Sequence, residues 1–352
     1  MAERLVEAVG ELTPHIECIP LAEGRTAIRA ELRPEAPGKV LCSGHYDTVF
    51  EADHPFQTPR ILENPPRLNG PGVADMKGGL VVMLATLAAF EESPHATEMG
   101  WTILLTPDEE IGSIYSATVI EAEAARHQIG LVFEPARESG AMVRSRAATS
   151  IFKIEVHGRE AHAGRNPEEG RNAVTALAQL CLEIDALPKS IPDTLINIGN
   201  FTGGGTANIV PDFAQAEINA RASTQSGADE LSNAINTAVA AINDRDGFTA
   251  KLSGGFTCSP LQLTPVRESL FADLSRCAAD LGQPALKWID VSGGSDGNLL
   301  HAAGLPVLDG LGPIGGGLHS DREYIETSSL ASAVQRTTLF LERLAKNEIT
   351  QP

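Results

Sequence analysis

The chain has 352 residues, 42% of them hydrophobic and 21% charged, an ordinary globular composition long enough for two domains with their own cores. A formal charge of −19 at pH 7, with no Lys/Arg cluster to counter it, excludes a nucleic-acid partner. No run approaches the ~18–20 uninterrupted apolar residues of a membrane span, and five scattered cysteines without C-x-x-C pairing exclude a disulfide framework and a thiolate metal site.

Taken in chain order, MAERLVEAVGELTPH carries acids where a secretory signal would carry an apolar core, so a cytoplasmic location is expected. TAIRAEL and GKVLCSG read as strands, KGGLVVMLATLAAFEE as a helix, and WTILLT and IGLVFE as further strands. This alternation predicts an α/β domain with a mixed sheet flanked by helices. From about Ala147 to Gly255 the order becomes strand, helix, strand, strand, helix, strand: TSIFKIEVHG, PEEGRNAVTALAQLCLEIDAL, TLINIGNF, DFAQAEINARAS, ADELSNAINTAVAAINDRD and FTAKLSG. That is a split βαβ, ferredoxin-like α+β unit. The α/β pattern then resumes and ends in the helix ETSSLASAVQRTTLFLERLAKN. The expected organisation is a catalytic domain of residues 1–146 and 256–352, with a lid of residues 147–255 inserted into it.

Five segments place metal-ligating residue types where a strand hands over to a loop. In GHYDTVF, His45 and Asp47 share a face of extended chain, as a ligand and its orienting carboxylate would; a histidine merely closing a strand fits as well. In GPGVADMKGG, Asp75 stands before a helix, either capping it or exposing both oxygens to metal. LLTPDEEIGS puts Asp108, Glu109 and Glu110 at a strand end: a solvated acidic loop, or a ligand beside a general base. LVFEP contributes Glu134 and GGGLHSD contributes His319. Two imidazoles and three carboxylates suit a pair of zinc ions. The glycine runs at 203–205 and 315–317 lack the spacing of a phosphate loop and read as turns. His15, His54, His95, His127, His157 and His301 match no motif and read as surface or packing residues.

In order along the chain, HYDTV, GPGVADMKGG, DEEIGS, FEP, REAHAGRNP, TANIVP and GGGLHSD resemble the co-catalytic zinc aminoacylase/carboxypeptidase family (peptidase family M20), with the closest likeness to glutamate carboxypeptidases. The resemblance spans nearly the whole chain. It implies two zinc ions per subunit, with cobalt or manganese as substitutes. One ion would be held by His45, Glu110 and Asp75 and the other by Asp75, Glu134 and His319, with Asp75 bridging. Glu109 would be the general base and Asp47 the residue orienting His45. The lid would make a homodimer and send His162 to the partner's site to stabilise an oxyanion. Asn208 and Arg221 would hold the substrate's carbonyl and free carboxylate, and Gly294 would offer a backbone contact to that carboxylate.

The activity implied is hydrolysis of an amide next to a free carboxylate, on a small peptide or N-acyl amino acid. An N-deacylase of the acetylornithine deacetylase or succinyl-diaminopimelate desuccinylase type would use the same centre. SGGFTCSP, at the return from the lid, lacks the basic residue of the glutamate carboxypeptidases. A silent scaffold would have lost a ligand or the base, and none is lost. The absence of G-x-S-x-G argues against a serine nucleophile.

Overall fold

The computed structural model describes residues 1–349. The chain divides into two compact units: Met1–Ser145, Leu261–Val291 and Ser295–Pro352 form the first, and Arg146–Pro260 with Ser292–Gly294 the second. The second unit thus runs past Gly255 to Pro260 and takes in a short stretch that the sequence pattern leaves to the first.

In the first unit an eight-stranded mixed sheet runs in the order Ile16–Pro20, Thr26–Leu32, Met99–Thr106, Gly38–His45, Ile129–Val132, Val307–Asp309, Met142–Arg146 and Trp288–Val291. Its central strands Met99–Thr106, Gly38–His45, Ile129–Val132 and Val307–Asp309 are parallel to one another, and antiparallel strands join on either side. Every residue of Met99–Thr106 is buried, as expected of a central strand covered on both faces, which therefore shows no alternation.

Helix Gly78–Glu91 buries Leu80, Val82, Met83, Leu87 and Phe90 and packs against helix Thr327–Ala345. The stretch Val73–Glu91, with mean hydropathy 1.6, is long and apolar enough to cross a membrane by length and composition, but 61% of it is buried in the fold. Counting uninterrupted apolar runs overlooks it, because Asp75 and Lys77 break the run.

A second sheet of the first unit was not anticipated. Gly315–Gly316, Tyr324–Glu326, Arg67–Asn69 and Arg60–Leu62 pair in that order. Strands of two or three residues are too short for a period of two to register. Tyr324 lies opposite Asn69 in antiparallel register, so the chain just after His319 is tied to the chain just before Asp75.

The second unit has a four-stranded antiparallel sheet in the order Thr194–Gly203, Phe213–Ala222, Ala148–His157 and Thr249–Phe256. Alternation along Ala148–His157 buries Phe152, Ile154 and Val156 in one core with residues of helices Ala173–Asp185 and Gln225–Asn243. The Asn172 side chain accepts the Thr175 N–H at 2.9 Å and Thr224 accepts that of Gly227 at 3.1 Å, so each helix starts at a capped turn.

Candidate metal centre

Three adjacent parallel strands deliver acidic or basic side chains from their carboxyl ends, where open α/β sheets build sites. His45 ends Gly38–His45, Glu109 and Glu110 follow Met99–Thr106, and Glu134 follows Ile129–Val132. Asp75 arrives on a turn entered through Gly72 at φ +64°, where a Cβ would come within 2.4 Å of the Thr48 side chain. The turn needs glycine for its conformation and for its space. His319, at φ +59°, sits on the loop between the short strands Gly315–Gly316 and Tyr324–Glu326.

The five expected ligands converge. His45 Nε2 lies 3.0 Å from Asp75 Oδ1 and 3.5 Å from Glu134 Oε1. His319 Nε2 lies 3.3 Å from Asp75 Oδ2 and 3.3 Å from Glu110 Oε2. Asp75 therefore faces a different imidazole with each oxygen, and its side chain caps no helix. His45, Asp75 and Glu110 also offer atoms within 4.8 Å of one another, but the shortest approaches set Glu134 beside His45 and Glu110 beside His319. The sequence expectation instead groups Glu110 with His45 and Glu134 with His319. Glu109 and Glu110 diverge because they open a 3-10 turn, Glu109–Ile111, and not because they alternate along an extended strand. Glu109 Oε2 stands 3.9 Å from His45 Nε2.

The donor set fits divalent metal. Ligands at ~2.0–2.1 Å from a shared tetrahedral ion stand roughly 3.3 Å apart, the range seen here. Glu110 Oε1 is buried with no hydrogen-bond partner among the described residues, a cost that a cation would offset. Burial alone would lower the His45 imidazole, yet its bonds to Asp47, Asp75 and Glu134 and the charge of Glu109 hold it well above the ordinary histidine value. Bonds to Asp75 and Glu110 raise His319 to about 10. Burial acts upward on Asp75, but the two imidazoles outweigh it and keep the carboxyl well below its usual range. The cluster draws positive charge toward itself. Burial lifts the Glu109 carboxyl well above its usual range; His45 opposes this, and the charges of Glu134, Asp296 and Asp75 add to it.

Supporting acids surround the cluster. Asp47 Oδ1 lies 3.3 Å from His45 Nδ1, and its two oxygens accept the Glu109 and Glu110 N–H groups at 3.2 and 3.0 Å. One side chain thus orients a candidate ligand and fixes the acidic turn. Asp108 points away from the cluster and accepts the Tyr115 and Ser116 N–H groups at 2.7 and 3.2 Å. Two further carboxylates escaped the sequence reading. Asp296 accepts the Thr106 hydroxyl at 2.7 Å and also that of Ser113, bracing both ends of the acidic turn. Glu323 accepts the N–H groups of Gly72, Ala74 and Asp75. The E of SDREYI was the only signal for Glu323, and nothing in the sequence separated it from a surface acid.

The remaining candidates belong to the second unit. His162 lies on a two-residue strand opposite Ile209, and the Asn208 carbonyl accepts the Ala163 N–H at 2.9 Å, so His162 and Asn208 are neighbours. The His162 ring accepts the Gly164 N–H at 3.1 Å. Arg221 donates to the Ser292 carbonyl at 2.7 Å, and Arg146, which the sequence reading passed over, donates to the carbonyls of Gly293 and Gly294 at 3.2 and 3.0 Å. Of the unassigned histidines, buried His127 makes packing bonds to the Glu123 carbonyl at 2.6 Å and the Thr102 hydroxyl at 2.8 Å.

Comparison with known proteins adds the family context. The sequence model of Peptidase family M20/M25/M40 matches residues 41–343. Carboxypeptidase G2 of Pseudomonas sp. (strain RS-16) is 27% identical over 83% of this chain and 70% of its own length. Succinyl-diaminopimelate desuccinylase of Methylococcus capsulatus (strain ATCC 33009 / NCIMB 11132 / Bath) is 30% identical over 85% of this chain and 81% of its own. Among solved structures, aminopeptidase PepT from Bacillus cereus ATCC 10987 superposes with a TM-score of 0.80 at 22% identity, over 98% of this chain and 92% of that one. An M20 family metallo-carboxypeptidase, Sso-CP2 from Sulfolobus solfataricus, gives 0.75 at 18%, over 98% and 94%. At such identities the structural likeness shows the fold.

Proposed function

This chain belongs to peptidase family M20/M25/M40, a family of metal-dependent hydrolases, and we propose that it uses two zinc ions to cleave an amide bond adjacent to a free carboxylate. The observation that carries this reading is the split of Asp75, with Oδ1 at 3.0 Å from His45 Nε2 and Oδ2 at 3.3 Å from His319 Nε2. One carboxylate facing two imidazoles is the arrangement of a bridging ligand. By the shortest approaches, His45, Asp75 and Glu134 would hold one ion and Asp75, Glu110 and His319 the other. Cobalt or manganese would suit the same nitrogen and oxygen donors.

When bound, the ions supply Lewis acidity toward the carbonyl and lower the proton affinity of water. The chain's own residues do the rest. Glu109 is the base: its Oε2 stands 3.9 Å from His45 Nε2, at the edge of the ligand cluster. It takes a proton from water and returns it to the leaving nitrogen. Asp47 keeps the Glu109 turn and the His45 ring in register. The second unit's β-α-β-β-α-β order supports a ferredoxin-like lid that forms a homodimer and brings His162 of one copy to the other's oxyanion. Arg221 and the Gly294 backbone take the free carboxylate, and Asn208 the carbonyl.

A second reading, an N-acyl-amino-acid deacylase, is favoured by the several succinyl-diaminopimelate desuccinylases among the relatives, at 27% to 30% identity. The two are separated by turnover of a panel of C-terminal dipeptides, N-acetyl and N-succinyl amines, with the protein stripped by chelator and zinc then restored. We expect zinc-dependent cleavage of dipeptides with a free carboxyl terminus. Cleavage of N-succinyl or N-acetyl amines alone would transfer the assignment to the deacylase. Full activity after stripping would overturn the metal reading.

A further inference from the structure

We propose that Glu323 is a positioning residue that holds Asp75 and His319 at a fixed separation for the metal pair, an inference that rests on the metal centre proposed above. Asp75 and His319 come from distant stretches of chain, yet each must present its ring or carboxylate to the same ion. Glu323 stands four residues after His319 in the sequence and is 1% exposed. Its Oε1 accepts the N–H groups of Ala74 at 2.8 Å and Asp75 at 3.0 Å, and its Oε2 accepts that of Gly72 at 2.8 Å. Its own carbonyl accepts the Gly70 N–H at 3.2 Å and the Asn69 side-chain amide at 2.7 Å. Five donors from residues 69–75 therefore converge on one residue of the His319 loop.

The chemistry of the turn explains why an acid stands there. Val73–Lys77 and the helix after it have no side-chain cap of their own, and the first N–H groups of a helical segment otherwise lack acceptors. A carboxylate is the side chain that accepts with both oxygens, and charge-assisted bonds of this kind are stronger and shorter than neutral ones. The His319 side of the link is closed too: the Glu323 N–H donates to the Ser320 carbonyl at 3.1 Å, and the Ser320 hydroxyl to the Gly317 carbonyl at 2.7 Å. Rotation of the Asp75 backbone or displacement of the His319 loop must break bonds to Glu323. No other side chain among the described residues joins these two stretches at the Asp75 backbone N–H.

The test is zinc binding, read by competition with a chromophoric chelator, for stripped wild type, Glu323→Ala and Glu323→Gln. The control is Leu344→Ala, whose side chain lies with Gly38 and Met99 at the starts of the strands, away from their site-bearing ends. Wild type should bind two equivalents. Loss of a partner that orients ligands typically costs about 10- to 100-fold in metal affinity, and Glu323→Ala should fall in that range. Glu323→Gln should lie between, since one amide oxygen still accepts from Ala74 and Asp75 while its NH2 group meets the Gly72 N–H. Leu344→Ala should melt lower with wild-type affinity. Wild-type affinity in Glu323→Ala would overturn the proposal, as would an equal loss in Leu344→Ala. If Glu323→Ala fails to fold, Glu323→Gln decides by the same criterion. A wild type that takes up no zinc would instead overturn the metal centre itself.

Discussion

Glu109 and Glu110 are neighbours with different proposed tasks, and their surroundings differ accordingly. Glu110 lies 3.3 Å from His319, whereas Glu109 is 3.9 Å from His45 and burial raises its carboxyl. Glu109→Gln keeps the shape and removes the proton acceptor. It should lower kcat by about a hundred- to ten-thousand-fold while zinc content stays at the wild-type level; turnover within tenfold of wild type would remove Glu109 from the role of base. The identities of these residues were legible in the sequence because several motifs in order pointed to one family. Asp296 and Glu323 were not legible. They are two acids among 46, and residue type alone does not tell which carboxylates fold inward to meet backbone N–H groups.

At the scale of elements, long segments were readable and short ones were not. The Thr26–Leu32 strand and the Gly78–Glu91 helix carry enough periodic or continuous apolar character to declare themselves. The short strands around His319 do not, and with them went the tie to the Asp75 turn. The direction of Glu110 was unreadable for a related reason, since the 3-10 turn Glu109–Ile111 decides which way it points. Element packing also sets a strict spacing. A Cβ on Gly79 would stand 1.8 Å from the Phe133 carbonyl oxygen, so helix Gly78–Glu91 rests on the segment that presents Glu134. Gly79→Ala should destabilise the protein by about 1–3 kcal/mol, the usual cost of overpacking, and weaken zinc binding by displacing Glu134. Thermal unfolding and metal titration of this variant check both effects; unchanged values in both would show that the contact yields freely.

For the whole molecule, the proposed dimer makes the lid part of the chemistry. Thr194–Gly203 is an edge strand of the second unit's sheet, with Leu195 60% and Phe201 41% exposed. An apolar edge of this kind invites pairing unless it is covered. Leu195→Glu with Phe201→Glu should yield monomers in sedimentation, with wild-type zinc content and strongly reduced turnover. A fully active monomer would refute action of His162 in trans. The division of the chain also orders events at the ribosome. Helix Gly78–Glu91 packs against Thr327–Ala345, which is synthesised only after all of Arg146–Pro260. The second unit's main segment is contiguous and can close as soon as it emerges, whereas the first unit still lacks its Val307–Asp309 strand and its last helix. Until then the face of this apolar helix that meets Thr327–Ala345 lacks its cover on the nascent chain, the kind of transiently exposed surface that holding chaperones bind.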